Sequence, residues 1–336
     1  MAHKTIQDIA RQAGVCIGTV SRVLNNKDRV HPETRKRIQG IIDKVGYRPN
    51  ALGRSLVTRK SHNVMLLLHN IADPHCISIA KHLTRACRKQ GYRLLVGDSD
   101  YEPDLEAACL RDLGDGSADG LLVSPLAGRR NEQLYRRLAD SGFPLVSLMD
   151  RVPGVNIPCV KYDDIGGARL ATDYLLDKGH RDIVFANWHT EFQTVQDRYR
   201  GYVKSHTLRK IPVRPELRLQ LPRSLGEIRA DLVRVLSFPQ SPTAILAENE
   251  MVALSCCNVL AQLGRRVPQD MAMMVFGEEM PEGVAPVPMT VVTWRQSELC
   301  GRAMELLLAQ IRGRNGQFEW APVTVLPSQL IIRKSA

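Results

Sequence analysis

Two apolar periodicities divide the chain near residue 60. Before that point apolar residues recur at helical spacing. Ile6, Ile9, Ala10 and Ala13 fall on one face of a first helix, and Val20, Val23 and Leu24 on one face of a second. Ile38, Ile41, Ile42 and Val45 make the inner stripe of a third. The ends are punctuated. Thr5 with Asp8 three residues later is a capping-box pattern, and Gly14 and Gly46 suit the left-handed residue that closes a helix. Pro32 stands at a favoured first helical position. The turn at Gly14-Val15 leaves Ile17, Gly18, Thr19, Ser21 and Arg22 on an outer face. Such a pair of helices is a plain hairpin or a helix-turn-helix, and periodicity alone does not separate the two.

From residue 63 the pattern changes to short apolar runs alternating with amphipathic stretches. Strands are expected at 64–68, 92–96, 120–123, 144–149, 159–162, 183–186, 243–246, 271–276 and 290–292. Helices are expected up to about 90 and at 105–113, 132–139, 166–178, 199–207, 225–236, 250–263 and 297–311. Repeated βα units of this kind build doubly wound parallel sheets. Some ten strands are too many for one sheet, so the α/β body is expected to have two lobes. Residues 1–60 form a separate helical domain and 61–336 the body.

Charge then discriminates between the two parts. Residues 1–60 hold 13 Lys/Arg against 4 Asp/Glu, net +9, whereas 61–336 hold 33 against 31, net +2. An excess confined to a segment patterned for its own core points to a polyanion as the partner of that segment. No run of 18 apolar residues and no signal-peptide core occur, so a cytoplasmic protein without a membrane partner is expected. The eight cysteines show no CxxC or zinc-finger spacing and read as reduced thiols. There is no Walker A loop, Gly-x-Ser-x-Gly or metal-spaced His/Asp pair, so neither enzyme, cofactor nor metal is expected.

The residues Ile6-x-Asp8-Ile9-Ala10-x-x-Ala13-Gly14-Val15, followed by Thr19-Val-Ser-Arg-Val-Leu-Asn25, resemble the N-terminal signature of the LacI/GalR family of bacterial transcription regulators. The likeness continues through Gly46-Tyr47-Arg48-Pro49-Asn50-Ala51 to Arg54-Ser55-Leu56. It implies a lambda-repressor-like helix-turn-helix whose second helix enters the major groove of operator DNA. Ile17, Gly18 and Arg22 match base-contacting positions, and Arg22 can take guanine O6 and N7 as a bidentate pair. Thr5, Thr19, Ser21, Asn25, Tyr47 and Asn50 would hold the DNA backbone. Residues 50–58 correspond to a hinge helix from which Leu56 wedges into a base step in the minor groove. The body resembles a periplasmic binding protein, with crossings between lobes near 160–163, 290–294 and 320–323. Lobe 1 is then about 61–161 and 293–320, and lobe 2 about 162–292 and 321–336.

An effector is expected between the lobes, at the carboxyl ends of strands. Loop placement there nominates His75, Cys76, Asp150, Arg151, Asp163 and Thr194. The resemblance adds Arg198, Asn249 and Glu278, and Trp294 offers a flat face for a sugar ring. The whole implies a homodimeric repressor on a near-palindromic operator, controlled by a small carbohydrate-type effector. An activator, and a sugar carrier that binds no DNA, are the alternatives. Four departures from the family stand out: Cys16 where Ser or Thr caps the recognition helix, Gly18 on that helix, Gly53 in the hinge, and Gly277 where an Asp ends a strand. Loss of that carboxylate, with Arg151 and Arg198 both available at the expected site, points to an anionic effector such as a sugar phosphate or sugar acid.

Overall fold

The structure is a computed structural model that describes residues 5–24, 30–46, 60–188, 191–221, 225–281, 283–313 and 323–336. The chain divides into two compact units, Met1–His62 and Asn63–Ala336.

In the first unit α1 (Ile6–Ala13), α2 (Ile17–Leu24) and α3 (Pro32–Val45) enclose one core of Ile9, Ala10, Ala13, Val20, Val23, Ile38 and Ile42. Helices of eight residues are marginal alone in water, so this shared apolar face is what stabilises α1 and α2. The capping box is closed: the Asp8 N–H donates to Thr5 Oγ1 at 3.3 Å and the Thr5 N–H to Asp8 Oδ2 at 2.9 Å. Gly14 takes φ 62° and Gly46 φ 61°, the left-handed geometry expected of them. The proposed hinge at 50–58, with Gly53 and Leu56, lies outside the described residues, as do Asn25, Tyr47 and Asn50.

Cys16 immediately precedes α2, and its Sγ lies 3.2 Å from Thr19 Oγ1. The Thr19 hydroxyl, then the Thr19 N–H, hold this exposed thiol below its ordinary pKa. A neutral thiol is a weak acceptor for the free N–H groups of a first helical turn. Cys16→Ser should therefore stabilise the start of α2 by about 1 kcal/mol, slowing its amide exchange about fivefold. Unchanged or faster exchange in the variant would show that the thiol caps at least as well as a hydroxyl.

The second unit begins with β1 (Asn63–Leu68), α4 (Pro74–Lys89), β2 (Arg93–Asp98), α5 (Pro103–Asp112), β3 (Leu121–Val123), α6 (Glu132–Asp140), β4 (Leu145–Leu148) and β5 (Cys159–Tyr162). The chain then crosses to α7 (Asp164–Asp177), β6 (Ile183–Asn187), α8 (Gln193–Leu208), β7 (Arg218–Gln220), α9 (Leu225–Leu236), β8 (Ala244–Ala247), α10 (Glu250–Gln262), β9 (Ala272–Phe276) and β10 (Thr290–Thr293). It returns as α11 (Gln296–Ile311) and β11 (Val323–Leu326), and crosses once more to β12 (Gln329–Ile331). The strand orders are β11-β5-β4-β3-β1-β2 and β12-β10-β9-β8-β6-β7, so both lobes share one winding. All pairs are parallel except β12 on β10.

The third crossing needs correction. It falls at residues 327–328, between β11 and β12, not at 320–323, because Val323–Leu326 pairs in parallel with β5. Among the described residues, lobe 1 is thus 63–162 with 294–313 and 323–326, and lobe 2 falls within 163–293 with 327–336. Three strands were not expected, β7, β11 and β12, and each is an edge strand. These three lack the continuous apolar run of a strand buried on both faces; Val323 and Val325 of β11 are exposed. Helix α8 also starts earlier than expected, at Gln193, which puts Thr194 and Arg198 on its first turns. No helix among the described residues is long and apolar enough to cross a membrane.

Candidate functional site

On the head, the outer face of α2 is as expected. Ile17 is 45% exposed, Gly18 and Arg22 are exposed, and Thr19 and Ser21 are half-buried, while Val20 and Val23 face the core. An exposed isoleucine beside an exposed guanidinium, on a helix held firmly from behind, can meet a groove with one apolar and one bidentate contact. Thr5 is exposed, and its hydroxyl is engaged with Asp8. The thiol of Cys16 opens this face at the amino end.

On the body, a cleft lies between the lobes. Its position follows from the winding. In each sheet the strand order reverses beside the first strand, between β1 and β3 in lobe 1 and between β6 and β8 in lobe 2, and ligands bind at such switch points. His69 and Ser124 follow β1 and β3, and their Nδ1 and Oγ are 2.8 Å apart. Glu248 follows β8 and accepts the Trp188 N–H, just after β6, at 2.7 Å. Two crossings meet beneath: Tyr162, ending β5, stacks on Trp294, just after β10, with ring centroids 4.5 Å apart.

Polar contacts tie the two sides of the cleft. Thr194 donates to Asp150 Oδ1 from its N–H at 2.9 Å and its hydroxyl at 2.6 Å. Ser78 Oγ donates to Glu278 Oε1 at 3.0 Å, and Lys161 Nζ to Asp197 Oδ2 at 2.8 Å. Each pair joins lobe 1 to lobe 2.

Arg198 is the central cation. Its Nε donates to Asp164 Oδ1 at 2.8 Å and its Nη1 to the Glu248 carbonyl at 2.6 Å. The guanidinium lies 4.5 Å from the Phe276 ring centroid and 5.2 Å from that of Trp294. Burial pushes the Asp164 carboxyl up to about 6, although Arg198 beside it opposes the shift. Burial also holds His75 near 4, so its imidazole is neutral. Its Nδ1 is 2.6 Å from Gln296 Nε2 and its Nε2 3.0 Å from Met149 Sδ.

Of the nominated residues, His75, Asp150, Thr194, Arg198, Asn249 and Trp294 line the cleft. The others do not. Cys76, one position round α4 from His75, is fully buried in the core. Arg151 is exposed outside the cleft, and Asp163 turns back to cap α7, accepting the Gly166 N–H at 2.8 Å. Glu278 sits at the rim, holding Ser78. The grounds for an anionic effector fall with these placements. Arg151 is absent from the site and Arg198 is already paired. Moreover the carboxylate missing at Gly277 is replaced by that of Glu250, which accepts the Glu278 N–H at 2.7 Å. Sequence reasoning missed Asp73, Asp164 and Glu248 altogether. Glu248 directly follows a strand, a signal that was available, whereas the Asp164–Arg198 pairing spans 34 residues and leaves no local trace.

Two families of known proteins match parts of the chain. Residues 5–50 match the bacterial regulatory proteins of the lacI family, and residues 172–336 match the periplasmic binding protein-like domain. The chain is 27% identical over 332 residues to the HTH-type transcriptional repressor PurR of Haemophilus influenzae (strain PittEE), covering 98% of each. It is 27% identical over 333 residues to the HTH-type transcriptional repressor CytR of Escherichia coli (strain K12), covering 98% of this chain and 96% of that one. A transcriptional regulator CelR–cellobiose complex superposes with TM-score 0.72 at 26% identity, over 99% of this chain and 100% of that one. The lac repressor dimer bound to operator and the anti-inducer ONPF gives 0.84 at 21% identity over 99% of both, a likeness of fold. The chain thus carries a DNA-binding domain of the lacI family joined to a periplasmic binding protein-like body, the make-up of a DNA-binding transcription regulator.

Proposed function

We propose that the chain is a homodimeric, cytoplasmic repressor of a near-palindromic operator, controlled by a small carbohydrate-type effector in the interlobe cleft. The observation that carries this reading is the cleft itself, which lies at both switch points and is spanned by polar contacts between the lobes. A ligand held there touches both lobes and so bears on their closure; its effect on operator affinity equals its preference between closed and open states. The cellobiose complex of the related CelR supports a carbohydrate-type ligand, and the operator-bound lac repressor dimer supports two heads reading two half-sites.

Operator selection from a random pool, followed by anisotropy at varied salt, tests the DNA side. Affinity should fall linearly on a log–log salt plot. Arg22→Ala should remove about 1–3 kcal/mol of discrimination at one base pair of each half-site. Equal affinity for all sequences before and after the change would end the reading of Arg22 as a base reader, and salt-independent binding would end the repressor reading.

A further inference from the structure

We propose that Glu250 sets the charge selectivity of the cleft, which takes a polyhydroxylated ring without negative charge and rejects its phosphorylated and carboxylated counterparts. The inference rests on the effector-binding role given above.

Gly277 and Glu250 are a matched pair. A Cβ built on Gly277 would overlap the Glu250 carboxylate, which lies across it and is held by the Glu278 N–H. Any side chain at 277 would displace that carboxylate. The acid at the end of β9 is therefore delivered from the first turn of α10, not from the strand. Burial raises its pKa to about 7, and the nearby Asp73 adds to the rise. Ionised, it accepts hydrogen bonds only, so it favours O–H and N–H donors and opposes a second anion.

The rest of the cleft has the same sign. Asp73, Asp150, Glu248 and Glu250 line it, against the single guanidinium of Arg198. That guanidinium has Nε committed to Asp164, Nη1 to a carbonyl, and aromatic rings close by, so the fork that would grip a phosphate is already engaged. Helix N-termini are the other ready anion sites. At α4 the Asp73 carboxylate accepts the His75 N–H at 2.8 Å, and at α10 Asn249 Oδ1 accepts the Val252 N–H at 2.8 Å. The chain's own oxygens thus hold the positions an anion would take.

The walls suit a ring. Trp294, 7% exposed and stacked on Tyr162, faces the cleft, and its Nε1 has no partner among the described residues. A second aromatic group, His69, Tyr101 and Phe192, has centroids 5.4–6.1 Å apart. Flat apolar faces, one buried N–H donor and a set of carboxylate acceptors complement a ring whose hydroxyls both donate and accept.

The test uses the full chain, thermal shift and calorimetry, with matched probes: hexoses and pentoses, their amino, 6- or 5-phosphate and uronic-acid forms, and nucleosides with their 5′-monophosphates. At least one uncharged or amine-bearing member should bind, with its phosphate or carboxylate counterpart about 100-fold weaker. Glu250→Gln should narrow that ratio about fivefold, and Asp73→Asn should do so independently; the unliganded melting curve of each variant reports folding. An anionic member that binds as tightly as its uncharged counterpart overturns the proposal, as does failure of every uncharged and amine-bearing member. Operator anisotropy on the same preparation keeps the two readings apart: intact DNA binding with a failed panel sinks only this inference, and failed DNA binding sinks only the repressor.

Discussion

Arg198→Met is expected to lower the stability of the body by about 3–5 kcal/mol, since it strands a buried carboxylate. Asp164 is 2% exposed and Arg198 8%, and the only guanidinium near that acid is this one among the described contacts. Removing it also deletes the bond to the Glu248 carbonyl and the approach to Phe276 and Trp294. The penalty should depend on pH. Asp164 already titrates near 6, and without its cation it rises further. A carboxyl whose folded pKa exceeds its unfolded value contributes stability at low pH that is lost as pH rises, so the variant should fare worse at pH 8 than at pH 5. Urea unfolding at both pH values measures this. The double change Arg198→Met/Asp164→Leu should recover most of the loss, because a buried ion pair exchanged whole for apolar groups costs little. A single-variant loss under about 1 kcal/mol would mean that water reaches Asp164 and the pair is not a structural unit.

The same residue illustrates what the sequence revealed. The resemblance nominates Arg198 as a ligand contact, and it lines the cleft while paired to Asp164. The head was almost fully legible because its determinants are local: Thr5 finds Asp8 three residues away, and Gly14 ends its own helix. Central strands were legible because burial on both faces writes a continuous apolar run, as in β6 and β9. The edge strands β7, β11 and β12 write none. Positions at strand ends were found, but the direction of a side chain was not. His75 and Cys76 are neighbours, and one helical step of about 100° sends the first to the cleft and the second to the core. Gly277 looked like a lost carboxylate when read alone. Only the fold, which brings Glu250 over it from 27 residues earlier, shows that the charge was moved.

That displaced charge should dominate a difference profile. Glu250 is 8% exposed, and its carboxyl is raised from 4.5 to about 7, first by burial. Relative to Glu250→Gln, the effector-free wild type should lose about 3 kcal/mol as pH rises from 4.5 to 7, with flat differences on either side. The sign follows from proton binding: between those limits the folded state holds a proton that the unfolded state has released, so raising the pH favours unfolding. The wild-type curve alone would hide this. His75, lowered from 6.5 to about 4, destabilises in the opposite direction over much of the same window, since it must shed a proton to fold. Asp150 and Asp164, both raised, act in the same direction as Glu250. Subtracting the variant cancels these shared terms to first order and leaves the carboxyl at 250. Urea midpoints at half-unit pH steps give the profile. A difference that stays flat from pH 4.5 to 7 would mean that Glu250 is ionised throughout, solvated from the open side of the cleft and not held in an apolar setting.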